Sequence, residues 1–246
     1  MIELIDTLPA VFHESTLPVS TLSDEEACRL IEQAPLSPLL RPLAERGQLR
    51  RWRRGSLLVE EGDPGDTLLI VIDGRVKAFS ETPPSAHGRD KVREITYGIY
   101  SAGDYIGEMT LDGGNRSASV IALETTVCSV VTRHSIRQHI SEHPDFAFEL
   151  LARVIARARG ATTNAKGMAL LDVYSRLRSL LDSLATEAAA DGHRLIAERL
   201  THAETASRLG CSREMVSRLL KDLDTGGYIR VEGAGLRLLK PLPMRW

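Results

Sequence analysis

Residues 200–223, LTHAETASRLGCSREMVSRLLKDL, read as two helices joined by a tight turn. Thr201 suits an N-cap, and Glu204 three residues later completes a capping box. Ala206 and Leu209 give the first helix a small apolar face. Gly210-Cys211-Ser212 then interrupts it, with Gly supplying the backbone freedom such turns need. Ser212 suits the cap of a second helix beginning at Arg213. In that helix Val216, Leu219, Leu220 and Leu223 recur at helical spacing and should face inward. Arg213, Glu214, Ser217, Arg218 and Lys221 share the opposite side. Arg and Glu exposed near a helix N-terminus match base edges in a major groove: Arg pairs with guanine O6/N7, and Glu accepts from cytosine N4. A solvated helix with an ordinary Glu214–Arg218 pair shows the same local pattern, so the flanking sequence has to separate the two.

Downstream, Tyr228-Ile229-Arg230-Val231, Glu232-Gly233-Ala234-Gly235 and Leu236-Arg237-Leu238-Leu239 read as two strands around a Gly-containing turn. A hairpin after the recognition helix makes a winged helix-turn-helix. The run GCSREMVSRLLKDL resembles the cyclic-AMP receptor protein/FNR family of bacterial transcription regulators, closely so at Gly210, Cys211, Ser212, Arg213, Glu214, Val216 and Arg218. The resemblance implies that Arg213, Glu214 and Arg218 read a TGTGA-type half-site. Thr201, Ser212, Ser217 and Lys221 complete the expected DNA-contacting set.

Upstream, a long helix is expected from about Pro144 to Leu170. Leu151, Ile155, Ala158, Thr162, Ala165 and Ala169 alternate at spacings of four and three, a heptad seam suited to a parallel dimer. Pairing that helix across a two-fold would set two recognition helices for a palindromic operator on double-stranded DNA. Leu170-Leu171-Asp172-Val173 is the expected hinge. Asp172 should cap a helix continuing to Ala190, and 191–193 should turn before the motif.

From Gly55 to Val131 short β-type runs are punctuated by glycine. Leu57–Val59, Thr67–Ile72, Val76–Phe79, 92–100 and two strands within Val120–Val131 are separated by turns at Gly62, Asp73-Gly74 and Gly103-Asp104, and by a polar loop over 80–91. Many short strands with frequent Gly turns imply a roll, barrel or sandwich. The spacing of Gly62, Gly74 and Gly103 also resembles the β-roll of cyclic-nucleotide-binding domains.

Within the roll, Gly107-Glu108-Met109-Thr110-Leu111-Asp112-Gly113-Gly114-Asn115-Arg116-Ser117-Ala118 has the chemistry of an anion cradle. Glycines let backbone N–H groups approach a phosphate, Arg116 offers a charged fork and Ser117 a hydroxyl. It resembles the family's phosphate-binding cassette. By that resemblance Glu108 holds a ribose 2′-OH, Arg116 and Ser117 hold a cyclic phosphate, and Gly107, Met109 and Ala118 line the cradle. The Glu108–Arg116 spacing is slightly shorter than in the cyclic-AMP receptor protein. Where that protein places a Thr-Ser pair on adenine, an ungapped alignment puts Ala161 and Thr162, with Thr163 adjacent. The ligand implied is cyclic AMP, with cyclic di-GMP as alternative; a ligand-independent regulator with a vestigial sensor is the other reading.

Bulk properties agree with a two-domain regulator. The 246 residues can hold two modest cores, and net charge is only -2. The chain from residue 172 onward carries about +2 and the remainder about -4, a mild basic bias at the DNA-binding end. Low aromatic content argues against single-strand binding by stacking. Cys28, Cys128 and Cys211 form no metal or disulfide spacing, Cys211 being expected as a buried turn residue. The seven His fall in no ligand pattern and are expected in solvated or capping roles. No catalytic constellation is present, so no enzyme activity and no cofactor are expected. Without a basic leader or a long apolar run, a cytoplasmic protein with no membrane contact is expected; contact with RNA polymerase is implied by resemblance alone.

The architecture implied is α+β: an N-terminal extension with helices (1–46, opened by Ser23 before Asp24–Gln33 and Pro38–Glu45), a cyclic-nucleotide-binding β-roll (47–143), a dimerisation helix and hinge (144–171), and a C-terminal winged helix-turn-helix (172–246).

Overall fold

The computed structural model describes residues 20–82, 94–186, 192–197, 200–232 and 235–246. The polar loop expected over 80–91 therefore lies largely outside the described residues, as does the tip of the wing at 233–234. The chain divides into two compact units, one of residues 1–79 and 98–152, the other of 80–97 and 153–246.

The first unit begins with a two-residue strand β1 (Ser20–Thr21), helix α1 (Asp24–Gln33), whose cap Ser23 accepts from Glu26 N, and α2 (Leu40–Glu45). Strands β2 (Gln48–Trp52), β3 (Leu57–Val59), β4 (Thr67–Asp73), β5 (Arg75–Glu81), β6 (Glu94–Ser101), β7 (Tyr105–Ile106), β8 (Ser119–Ala122) and β9 (Thr126–Thr132) follow, then α3 (Arg133–Glu142). They build two sheets, ordered β1-β2-β9-β4-β7 and β3-β8-β5-β6. This is the roll implied by the glycine turns.

The register explains its two cores. Leu69 pairs with Val130 and Val71 with Cys128, so these four side chains share one face with Trp52 of β2 and pack toward β3 and β8. The alternate residues Leu49, Leu68, Ile70, Ile72, Val127 and Val131 face α1, α2 and α3 instead. The five-stranded sheet is thus buried on both sides, which is why β4 and β9 read as continuous apolar runs. β2 was not anticipated. Its inward residues Leu49 and Trp52 serve opposite faces, with Arg50 and Arg51 between them, so no period-two pattern appears.

Helix α4 spans Asp145–Leu170, as the heptad pattern implied. Its seam is exposed: Leu151 is 52% and Ile155 41% accessible, and Phe148 on the same helix reaches 72%. After Leu171, Asp172 caps α5 (Val173–Leu184) by accepting from Ser175 N at 2.7 Å. The helix expected to reach Ala190 stops at Leu184, because Ala185 turns extended (φ -75°, ψ 137°) and its N–H closes the last turn on the Leu181 carbonyl.

The winged unit then adds β10 (Arg194–Ile196), α6 (His202–Leu209), α7 (Arg213–Thr225), β11 (Ile229–Glu232) and β12 (Gly235–Leu238). The wing is three-stranded, β10-β12-β11, not a simple hairpin. Three residues at β10 were too few to show a strand pattern. Tyr174, Leu177 and Leu181 of α5 pack with Ile196, Leu209, Val216, Leu219 and Leu223 in a separate core.

Two further expectations change. Cys211 is half-buried rather than buried, packed at the edge of this core. His139 is neither solvated nor a cap: it is fully buried on α3, with Nε2 2.8 Å from the Leu39 carbonyl.

Candidate ligand cassette and nucleic-acid interface

The cassette begins where β7 runs into Gly107, whose φ of 93° only glycine adopts without strain. Instead of a loose glycine loop, Glu108–Asp112 forms one 3-10 turn, closed by Gly113 at φ 101°. The chain then crosses the 62–66 loop. Arg116 N donates to the Asp63 carbonyl at 2.8 Å and Gly62 N to the Arg116 carbonyl at 2.9 Å. These two bonds fix the Arg116 backbone against the loop that precedes β4.

Its side chain is equally constrained. Arg116 is 9% exposed, with Nη1 donating to the Thr67 carbonyl at 2.9 Å and Nη2 to Thr67 Oγ1 at 2.8 Å. Nη1 also lies 3.5 Å from Thr110 Oγ1, whose hydroxyl donates to the Gly107 carbonyl at 2.9 Å. A Cβ on either Gly65 or Gly107 would collide with the guanidinium, so both glycines make room for it. Burial pulls the guanidinium pKa below its ordinary value, while Asp66, Asp63 and Glu108 draw it back up. Glu108 itself is 6% exposed. A buried, charged, pre-aimed guanidinium flanked by glycines is a site able to take an anion.

The structure therefore brings Gly107, Glu108 and Arg116 together. Ser117 and Met109 stand exposed at the cassette surface, and Ala118 packs half-buried against the roll core. Thr162 and Thr163 are exposed on α4, and each hydroxyl donates back along the helix, to Ala158 O and Arg159 O at 2.9 Å. Thr67 and Gly65 escaped the sequence reading. They lie some 50 residues before Arg116, and no motif links them to it.

In the winged unit both expected caps form. Thr201 Oγ1 accepts from Glu204 N at 3.2 Å while Glu204 Oε2 accepts from Thr201 N at 3.0 Å, giving the full capping box. Gly210 turns the chain at φ 63°, and Ser212 Oγ accepts from Met215 N at 3.2 Å. Val216, Leu219 and Leu223 are buried and Leu220 is half-buried. Arg213, Glu214, Arg218 and Lys221 are exposed on the outer side of α7. Ser217 is half-buried, its Oγ 2.7 Å from Nδ1 of His202. That contact ties α6 to α7 at the outer face, and His202 was not among the expected residues.

Comparison with known proteins places these two units. The family model for the cyclic nucleotide-binding domain matches residues 49–143, and that for the Crp-like helix-turn-helix domain matches 175–242. The CRP-like cAMP-activated global transcriptional regulator of Mycobacterium tuberculosis is 31% identical over 183 residues, covering 73% of this chain and 79% of its own. The chain belongs to the CRP/FNR family. CRP/FNR relatives also include the cAMP-activated global transcriptional regulator CRP of Haemophilus influenzae, 28% identical over 221 residues and covering 87% of this chain and 92% of its own. The CRP-like protein Clp of Xanthomonas euvesicatoria is 29% identical over 192 residues, with 75% and 80% covered. Among solved structures, the c-di-GMP responsive global regulator CLP of Xanthomonas campestris aligns with a TM-score of 0.70 at 24% identity, covering 82% of this chain and 98% of that one. The fold is that of CRP/FNR regulators, and the family acts in transcription rather than catalysis. No helix among the described residues is long and apolar enough to cross a membrane.

Proposed function

We propose that this CRP/FNR protein is a homodimeric, sequence-specific transcription regulator whose affinity for palindromic double-stranded DNA is set by a cyclic nucleotide, cyclic AMP first. The buried Arg116, held by Thr67 between Gly65 and Gly107 with Glu108 beside it, carries this reading. A guanidinium so placed takes a phosphate at little cost in reorganisation. Arg213, Glu214 and Arg218 read base edges, Lys221 and Thr201 approach the backbone, and Ser212 and Ser217 shape the turn and helix face. The exposed apolar seam of α4 supports pairing of two copies. The protein acts in the cytoplasm, with RNA polymerase as its partner.

Cyclic di-GMP is the second reading. Ala161 lacks the hydroxyl that the adenine-contacting pair would supply, and the Clp protein above is nearly as similar as the cAMP-activated relatives. Parallel calorimetric titrations with cyclic AMP, cyclic GMP and cyclic di-GMP decide between them. Saturable binding of cyclic AMP alone is the expected result. Binding of cyclic di-GMP alone reassigns Arg116 to that ligand, and no binding of any leaves a DNA-binding regulator with a vestigial sensor.

A further inference from the structure

Helix α4 is shared between the two units: residues 145–152 belong to the first and 153–170 to the second. The expected hinge at Leu170-Leu171-Asp172-Val173 therefore lies inside the second unit, together with α5, α6 and α7. Two helices end within that unit, α4 at Leu170 and α6 at Leu209. The last carbonyls of a helix have no donor within it and need one from elsewhere.

One side chain supplies donors to both ends. Arg176, one turn into α5, donates from Nε to the Leu209 carbonyl at 3.1 Å and from Nη1 to the Leu171 carbonyl at 2.9 Å. An ordinary cap serves a single helix; this guanidinium spans two, and its planar fork fixes the angle between the two bonds. Asp172, which caps α5, lies four residues earlier and is acted on by the same charge.

The Leu209 end matters because the recognition helix starts from it. Leu209 is buried in the core with Val216 and Leu219, and Gly210 next turns the chain toward α7. A Cβ on Gly210 would come within 3.3 Å of Met168 Cε, so the last turns of α4 also pack on this turn. Burial raises the Cys211 thiol pKa and the Arg176 charge opposes it, which sets the guanidinium beside the turn as well. The end of α4, the α4–α5 junction and the 210–212 turn thus converge on Arg176.

We propose that Arg176 is a positioning residue for DNA recognition: it ties the α4–α5 junction to the carbonyl that ends α6 and so sets the direction of α7. It lies outside both the cassette and the exposed face of α7. A shift of α4 then reaches Arg213 and Arg218 as a movement of the turn. That transmission rests on the cyclic-nucleotide reading, whereas the brace does not.

Two measurements on the full chain test it. In fluorescence anisotropy, saturating cyclic AMP should change the operator affinity of the wild type by about 5–150-fold, and Arg176→Met should lose most of that factor. Its calorimetric affinity for cyclic AMP without DNA should stay near that of the wild type. Arg176→Lys keeps the charge but lacks the fork and reaches one carbonyl, so it should restore the thermal melt without restoring the coupling. Full coupling in either variant overturns the positioning role. Amide hydrogen exchange, followed without nucleotide, should speed up over residues 210–215 in both variants while the α5 core around Leu177 and Leu181 keeps its protection. Unchanged exchange over 210–215 overturns the brace. If cyclic AMP leaves the operator affinity of the wild type unaltered, the cyclic-nucleotide reading fails, and the exchange measurement still decides the brace.

Discussion

Thr67 grips Arg116 twice, its carbonyl accepting from Nη1 at 2.9 Å and its hydroxyl accepting from Nη2 at 2.8 Å. A residue at the start of β4 therefore sets the direction of the guanidinium expected to meet the ligand phosphate. Thr67→Val keeps the backbone bond and the side-chain volume but removes the hydroxyl. Loss of one hydrogen bond to a charged group should lower cyclic-AMP affinity by about 1–2 kcal/mol, or about 5–30-fold. Calorimetry on the variant checks this, with a melting temperature near wild type showing that the roll is intact.

On the DNA side, Arg213 and Arg218 are expected to specify and Lys221 to position. Arg213→Ala or Arg218→Ala should cost about 1–3 kcal/mol on the cognate operator and relax base preference at the contacted position. Lys221→Ala should weaken every sequence about equally and reduce the slope of log affinity against log salt by about 1. Fluorescence anisotropy on matched and single-substituted operators at several salt concentrations separates the two classes.

The exposed seam of α4 predicts the state of association. Leu151→Glu combined with Ile155→Glu places charges where apolar side chains stand 52% and 41% exposed. Sedimentation should show the wild type as a dimer and the variant as a monomer. The variant should lose affinity for a full palindrome far more than for a half-site, because a dimer gains effective concentration from its second contact.

His139 predicts an acid limit to stability. It is fully buried, with Nε2 donating to the Leu39 carbonyl and Nδ1 facing no partner. Burial lowers its pKa; His143 and Arg46 push the same way, while the Leu39 bond and Glu142 oppose. A histidine held neutral in the folded state protonates first in the unfolded chain. Its contribution is intact above the unfolded value of about 6.5 and is lost as pH falls through the lowered folded value. Urea melts of the wild type should show stability falling below about pH 6.5, and His139→Gln should flatten that part of the profile.

Local chemistry made much of this protein readable in one dimension. The Thr201–Glu204 box, the Ser212 cap and the Asp172 cap depend only on residues three apart, and each forms as its sequence implies. The apolar period of α7 fixes which side is buried and hence which side presents Arg213 and Arg218. Glycines at 62, 74 and 103 mark turns because each adopts a positive φ. Elements with no local signature were missed: β2, whose apolar residues divide between two cores, and β10, which is three residues long. The helix beyond Leu184 was overextended because alanine-rich sequence favours helix wherever nothing contradicts it.

The sequence by itself determined the helix-turn-helix, its caps and the glycine turns of the roll, since these rest on short spacings and on residue chemistry. Only the tertiary structure decided what surrounds Arg116. Asp63, Gly65 and Asp66 reach it from the loop before β4 and Thr67 from the first position of that strand, and Trp52 and Arg133 line one cavity with it only because β2, β4, β9 and the start of α3 converge there. Burial and long-range hydrogen bonds are properties of distant segments brought together, and no periodicity in the chain encodes them.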